Sequence, residues 1–154
     1  MNLVRVFVCE SGHMISPDYD IHLTYCQRCG NKVYETCPHC DSPIYERADL
    51  GSMRIHLSYY CHKCGSPLPW TQTILDRVTE LLDTTEDIDD EVKCLIRSAF
   101  PGIITDEIPD TMVKTKFDRM ADSIPKTLLN GLFNIAMQFG LEALKTLIEI
   151  PTAK

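Results

Sequence analysis

The chain has 154 residues, of which 44% are hydrophobic and 24% charged, and its formal net charge is −7. This length and balance are typical of one or two small globular domains, and they exclude a low-complexity protein. The acidic balance also disfavours extended contact with nucleic-acid phosphates. Eight cysteines are many for such a chain, so their spacing has to explain them.

The first residues show no sign of export. Residues 1–12 hold one basic residue and an apolar run of only three residues, Val6 to Val8. The core of a signal peptide, by contrast, has roughly 7–15 apolar residues. We therefore expect a cytoplasmic protein, whose thiols stay reduced and bind metal more readily than they form disulfides.

The composition changes abruptly along the chain, which predicts two domains, 1–70 and 71–154. The first holds seven of the eight cysteines and has a net charge of −1, whereas the second holds one cysteine and has a net charge of −6. In the first domain, segments 3–8, 32–34 and 53–60 predict short strands separated by glycine and proline turns. The second domain shows helical periodicity.

Four pairs of candidate metal ligands follow one another in the first domain. Three pairs have the CxxC spacing and the first has the spacing CxxxH; in chain order they are Cys9/His13, Cys26/Cys29, Cys37/Cys40 and Cys61/Cys64. A turn of this kind presents two ligands to one ion, and two such turns complete the tetrahedron that Zn²⁺ accepts. The spacing therefore predicts two Zn²⁺ ions per chain as the cofactor.

The pairing of these turns has two solutions. Sequential pairing forms zinc site 1 from Cys9, His13, Cys26 and Cys29 and zinc site 2 from the other four, and the preference for short connections favours it. In the nested alternative the first and last turns share one ion. Both solutions use all eight ligands and leave no position for a catalytic water, which argues against metal-assisted hydrolysis. A disulfide framework is typical of exported proteins, and no export signal is evident. A thioredoxin-like site needs a βαβ setting, and none surrounds the CxxC pairs.

The second domain is predicted to begin with two helices. Thr71 can cap the first, and the second is expected from about Glu86 to Phe100 with acidic residues in its first turn. Pro101-Gly102 is expected to end that helix. Cys94 lies on the apolar stripe of the second helix, so we expect a buried, unreactive thiol.

Two further helices are expected after a loop. The third starts at Asp110 or Thr111 and stops near the break at Ser123 to Pro125, and the fourth, from about Pro125 to Ile150, is the most apolar. Its uncharged stretch, 127–141, is shorter than the ~20 residues that cross a bilayer, so no membrane span is expected and a core position is the default. An oligomer contact or a membrane-active effector helix is the alternative.

Together these patterns predict an α+β fold. An N-terminal double zinc ribbon of short hairpins and metal-binding turns precedes a C-terminal bundle of about four helices. The helical domain is expected to pack on the ribbons or to be linked to them. In such a fold the cysteines stabilise the first domain and need no catalytic role.

Four runs of sequence carry a further signal in combination. They are CESGHMIS from Cys9, CQRCG from Cys26, CPHC from Cys37 with Pro43-Ile44 after it, and YCHKCG from Tyr60 leading into Pro69-Trp70-Thr71. This combination resembles the bacterial double-zinc-ribbon family catalogued as domain of unknown function 2321, closely over residues 9–75 and more loosely beyond. The resemblance implies two zinc ribbons followed by helices in a bacterial or phage setting, and no particular activity, substrate or partner.

We expect a non-catalytic zinc-binding protein that serves as a protein–protein interaction or assembly module in a bacterial or phage cytosol. No nucleophile–base pair, phosphate loop or carboxylate constellation indicates an enzyme. The expected partner is another protein, or a second copy bound through the helical half. Nucleic-acid binding is the alternative, which the net charge disfavours; its candidate residues are Arg28, Lys32, Arg47, Arg54 and Lys63 as cations and Tyr34, Tyr45, Tyr59 and Tyr60 for stacking.

Overall fold

The computed structural model of the chain describes residues 2–15, 23–49, 54–105, 115, 118–141, 144–145 and 148. Short strands and ligand-bearing turns come first and helices follow, which confirms the predicted α+β class. Two compact units divide the chain, Met1–Thr73 and Ile74–Lys154. The packing of the helical half on the ribbons stays a prediction.

Within the described residues six short strands form two antiparallel sheets: β1 Asn2–Arg5, β2 Phe7–Cys9, β3 Met14–Ile15, β4 Val33–Tyr34, β5 Tyr45–Asp49 and β6 Arg54–His56. The first sheet has the strand order β1-β5-β6, and the second has the order β3-β2-β4. Between β1 and β2 the chain passes from one sheet to the other at Val6, whose N–H donates to the carbonyl oxygen of Ile44 at 3.2 Å. The segment predicted as one strand over 3–8 is therefore two strands.

β5 is a strand that the sequence pattern does not indicate. Its side chains alternate, with Tyr45 and Arg47 exposed and Glu46 buried, so the inward position holds a carboxylate rather than an apolar group. Glu46 is only 2% exposed, and its two carboxylate oxygens accept hydrogen bonds from the backbone N–H of Ser58 at 2.7 Å and from the Ser58 hydroxyl at 2.8 Å. These bonds offset part of the cost of burying the charge.

The core of the first unit is small and includes candidate metal ligands. Its buried members are Val6, Val8, Cys37, Ile44, Cys61, Leu68 and Trp70. The indole N–H of Trp70 donates to the carbonyl oxygen of Ser58 at 2.8 Å. The hydroxyl of Thr71 donates to the carbonyl oxygen of Tyr59 at 2.5 Å. Together with Glu46, these bonds hold the segment that precedes the last ligand turn.

Three helices have defined bounds: α1 Pro69–Thr84, α2 Asp90–Ile104 and α3 Lys126–Phe139. A short 3-10 helix, Ala121–Ser123, precedes α3, and residues 115, 118–120, 144, 145 and 148 are also helical. α1 begins at Pro69, because proline at the first helical position gives up no N–H that the helix needs. Thr71 therefore lies inside the helix, and its prediction as the cap is wrong.

α2 begins and ends later than predicted. Asp89 caps it, since the Asp89 side chain accepts a hydrogen bond from the N–H of Glu91 at 3.4 Å. The helix then continues through Pro101 and buries Ile103 and Ile104, whose burial offsets the hydrogen bond that proline cannot make. Pro101-Gly102 thus does not end the helix.

Cys94 is exposed, so the expectation of a buried thiol is wrong. The buried face of α2 includes Val92 and Ile96, which lie two residues before and after Cys94. Two residues along an α-helix turn through about 200°, which places Cys94 on the opposite side.

The last predicted helix is interrupted at Gly140. This residue has a left-handed φ of 67° and donates its N–H to the carbonyl oxygen of Ala136, which ends α3. The prediction of one helix from Pro125 to Ile150 is therefore wrong, and the predicted start of the third helix at Asp110 or Thr111 lies outside the described residues. Among the helices that the structure describes, none combines the length and apolar character that crossing a membrane requires.

Gly131 of α3 lies against Leu81 of α1. A Cβ atom at position 131 would stand 2.6 and 2.8 Å from the two methyl carbons of Leu81. We expect Gly131→Ala to lower the free energy of unfolding by about 1 kcal/mol, because overpacking costs ~1–3 kcal/mol and outweighs the ~1 kcal/mol that alanine gains over glycine in a helix.

The matched change is Gly102→Ala in α2, where nothing lies within 4 Å of the new Cβ atom. This change should raise the free energy of unfolding by about 0.5–1 kcal/mol through helix propensity alone. Urea unfolding followed by circular dichroism measures both variants. Stabilisation of equal size at the two positions would contradict the prediction for Gly131.

Candidate metal centres

The structure brings the eight candidate ligands into two groups of four. We call them site 1, which is Cys9, His13, Cys26 and Cys29, and site 2, which is Cys37, Cys40, Cys61 and Cys64. In each group the ligand atoms all lie within 4.8 Å of one another. This is the sequential arrangement of the turns, and the described part of the chain holds no further group of this kind.

The spacing of the ligand atoms fits a tetrahedral metal ion. In site 1 the sulfurs of Cys9 and Cys29 lie 3.7 Å apart, and the Cys26 sulfur lies 3.8 Å from Nδ1 of His13. In site 2 the sulfurs approach in pairs at 3.6 and 3.7 Å. Sulfurs that bind one tetrahedral Zn²⁺ at ~2.3 Å are ~3.8 Å apart. A disulfide needs ~2.05 Å, so both groups are positioned to bind metal ions rather than to form disulfides.

One turn geometry recurs in the three CxxC pairs. The N–H of the residue four positions after the first cysteine donates to that cysteine's carbonyl oxygen, at 2.8 Å for Gly30, 2.9 Å for Asp41 and 2.9 Å for Gly65. These residues have left-handed φ angles of 75°, 55° and 72°. The reversal of the chain at this point brings the two sulfurs of each pair to the same metal position.

The turn from Cys9 to His13 is tighter by one residue. Its carbonyl bond comes from Gly12, three positions after Cys9, at 2.9 Å, and Gly12 has a φ of 79°. The N–H of His13 also donates to the sulfur of Cys9 at 3.3 Å. This early reversal allows a pair with three intervening residues to serve one ion.

The thiols of each site differ strongly in their tendency to ionise. Burial raises the pKa of Cys9 to about 11 and the pKa of Cys37 to about 11. The backbone N–H of Asn31 lowers the pKa of the exposed Cys29 to about 6, and the hydroxyl of Ser42 lowers the pKa of Cys61 to about 5. Because Cys9 and Cys37 resist ionisation, a cation is needed to hold every sulfur of a site as a thiolate.

A polar residue follows each CxxC pair by two positions, as Asn31, Ser42 and Ser66. The buried Ser42 hydroxyl lies 3.3 Å from the sulfur of Cys40 and 3.5 Å from that of Cys61. The Ser66 hydroxyl similarly lowers the pKa of Cys64. Cysteine spacing alone misses these residues, but the repeated motif C-x-x-C-[Gly/Asp]-[Asn/Ser] is a signal that identifies them.

Comparison with known proteins supports the resemblance found in the sequence. The family model described as "Uncharacterized protein conserved in bacteria (DUF2321)" matches residues 4–148, which is nearly the whole chain. No curated protein and no solved structure matches. The predicted family is confirmed, and the two ligand groups fit its expected double zinc ribbon.

Asp41 holds the backbone position that glycine occupies in the other two CxxC turns. A left-handed conformation costs a non-glycine residue roughly 1 kcal/mol. We therefore expect Asp41→Gly to raise the free energy of unfolding of the metal-loaded protein by about 0.5 kcal/mol.

The reverse change, Gly65→Ala, introduces the same strain without steric contact, since nothing lies within 4 Å of the added Cβ atom. It should lower the free energy of unfolding by about 1 kcal/mol. Thermal unfolding of samples with matched metal content tests the pair. A fall in Tm for Asp41→Gly would show that strain at this position is not relieved by glycine.

Ser42→Ala removes a hydroxyl beside two sulfurs of site 2 and leaves all ligands in place. We expect the metal affinity of site 2 to fall about tenfold, because groups that hydrogen-bond to ligands stabilise the bound state. Site 1 should be unchanged. Competition with a chelator measures the two sites, and Ser98→Ala is the control, since that hydroxyl bonds to the Leu95 carbonyl in α2. Equal losses at both sites would contradict a local role for Ser42.

Proposed function

Since the chain belongs to the bacterial family DUF2321, whose description names no activity, we propose its function from its own metal centres. It is a non-catalytic zinc-binding protein that serves as a protein interaction or assembly module. Both ions are structural, and the partner is another protein. The bacterial cytoplasm is the setting that keeps these thiols reduced and able to bind metal.

The donor sets favour zinc. Thiolate-rich tetrahedral sites select Zn²⁺, Cu⁺ or iron–sulfur clusters. In both sites the four ligand atoms converge within 4.8 Å, a span that accommodates one ion and leaves no room for bridging sulfides. The imidazole of His13 among three thiolates in site 1 is one of the ligand sets that structural Zn²⁺ uses.

A structural role follows from where the ligands lie. Cys37 and Cys61 belong to the buried cluster of the first unit, which has seven buried members among the described residues. A core of this size buries little apolar surface, whereas a structural zinc site contributes on the order of 10 kcal/mol to folding. The ions therefore account for the stability that the apolar residues lack.

One observation carries the non-catalytic assignment. In both sites four side chains of the protein bring their ligand atoms within 4.8 Å of one another, which is enough to fill the four positions of a tetrahedral ion. Catalytic zinc sites keep one position for water or substrate, and structural sites do not. An ion held in this way stabilises a surface and performs no hydrolysis.

Nucleic-acid binding has less support from the described surface. The ammonium group of Lys32 lies 5.2 Å from the centre of the Tyr34 ring, so this cation and this ring already contact each other. The hydroxyl of Tyr34 also donates to the Glu10 carboxylate at 2.9 Å, which brings a negative charge to the same place. The net charge of −7 adds to the disadvantage.

The metal assignment predicts a difference between two cysteines. Cys61→Ser removes a buried ligand of site 2, so the protein should bind one Zn²⁺ instead of two and lose stability in the first unit. Cys94→Ser changes an exposed thiol far from either ligand set in sequence and should keep both ions. Native mass spectrometry counts the ions. Loss of zinc in both variants, or in neither, would refute the assignment.

The interaction role is tested on the protein purified gently from its own bacterium. Native mass spectrometry then reports zinc, subunit number and bound partners in one spectrum. Two Zn²⁺ ions and a stoichiometric partner protein are expected. A nucleic acid in place of the protein, or turnover that requires the bound zinc, would overturn the proposal.

A further inference from the structure

One face of the first sheet forms an exposed groove. In the register of β1 and β5, Leu3 stands opposite Arg47 and Arg5 stands opposite Tyr45, so these four residues share a face. Leu3, Tyr45 and Arg47 line a groove of about 360 Å³, which Leu57 and His62 close from the segment after β6. This groove lies beside site 2, because His62 follows the ligand Cys61 directly.

The walls of the groove are apolar and exposed. Leu3 is 62% exposed and Tyr45 is 42% exposed, although both lie in sheet strands. The rings of Tyr45 and His62 are 6.2 Å apart and tilted, so they form one side of the groove together. Within the described chain β1 has a sheet neighbour on one side only, which leaves an edge along which an extended segment can pair.

Among the described residues that line the groove, Arg47 carries an exposed positive charge. Arg47 is exposed and makes no ion pair within the part of the chain that the structure describes. Arg5, on the same face, already lies 3.6 Å from the Glu35 carboxylate. Glu46 also lines the groove, but it is only 2% exposed, and its two carboxylate oxygens accept hydrogen bonds from the N–H and the hydroxyl of Ser58. A carboxylate is therefore the ligand group whose charge complements Arg47.

We propose that this groove binds an extended peptide of a partner protein that carries a large aliphatic side chain and a nearby carboxylate. The aliphatic side chain packs between Leu3, Leu57 and the two rings, and the carboxylate pairs with Arg47. The inference specifies the partner of the interaction module and so rests on the proposed function.

The same observations disfavour a nucleic acid in this groove. Single-stranded nucleic acids need a track of cations along the backbone as well as stacking rings. Among the described residues that line the groove, one is an arginine and two are aliphatic. Charge complementarity thus favours an acidic, apolar peptide.

The test is a selection of random decapeptides displayed on phage against the zinc-loaded full chain, followed by fluorescence anisotropy with the enriched peptides. We expect the enriched peptides to share a large aliphatic residue with Asp or Glu close to it. Leu3→Ala should weaken their binding about tenfold and Arg47→Gln about fivefold, as for an anchor side chain and a rim charge. Added salt should weaken binding to the unchanged protein more than to Arg47→Gln.

Two control variants match the test variants in exposure and chemistry. Met137→Ala removes an exposed apolar side chain of α3 that is 56% exposed, and Arg28→Gln removes an exposed arginine in another ligand turn. Both should bind the peptides like the unchanged chain. Failure to enrich any peptide, enriched peptides without carboxylates, or equal binding by all four variants would overturn the proposal, as would Leu3-dependent binding of oligo(dT).

Zinc content measured on the same samples separates the two proposals. If the chain holds two Zn²⁺ ions and selects no peptide, the groove proposal is rejected and the metal assignment is retained. A chain that binds the acidic peptides without zinc supports the groove and rejects the structural role of the metal.

Discussion

The first unit depends on bringing ionisable sulfurs together at two sites in which two of the four candidate ligands are buried. Cys9, Cys37 and Cys61 are buried, yet each lies close to a second thiol. Neutral thiols in contact stabilise each other only slightly, and thiolates without a nearby cation repel each other. A divalent cation resolves this conflict, because it replaces the protons and attracts every sulfur at once. The strands and turns of this unit are therefore best understood as a frame that the metal completes.

Polar contacts in that frame hold the segment before the last ligand turn in place. Glu46 holds the backbone and hydroxyl of Ser58, and Trp70 holds the Ser58 carbonyl. Ser58 lies three residues before Cys61, so these bonds set the start of the last ligand turn. Burying a carboxylate costs free energy in a small domain. Its hydrogen bonds are directional, however, and so they fix the orientation of the backbone that carries the ligand. The same segment leads into α1, which joins the position of site 2 to the start of the helix.

The sequence predicts the two groups of four candidate ligands because metal coordination imposes short, fixed spacings that do not depend on the surrounding fold. It identified the strands less well, since β5 buries a glutamate and presents a tyrosine and an arginine outward, the reverse of the usual alternation. Helix ends were missed where side-chain bonds or backbone geometry decide them, as at Asp89 and Gly140. The predicted apolar stripe includes Cys94, but the buried face of α2, which includes Val92 and Ile96, is narrower than that stripe. Ser42 was not found because its effect depends on contact with two sulfurs.

The two faces of β5 carry side chains with different roles. Inward, Glu46 serves the architecture of site 2, and outward, Tyr45 and Arg47 are left exposed beside Leu3. In a domain stabilised only by its core, a leucine on an edge strand would gain most by burial within the same chain. If a metal ion provides the stability, the domain depends less on burying every leucine. The sheet can then keep a face with apolar and cationic side chains for another molecule. Metal binding and recognition then meet at His62, which follows a ligand of site 2 and forms part of the groove.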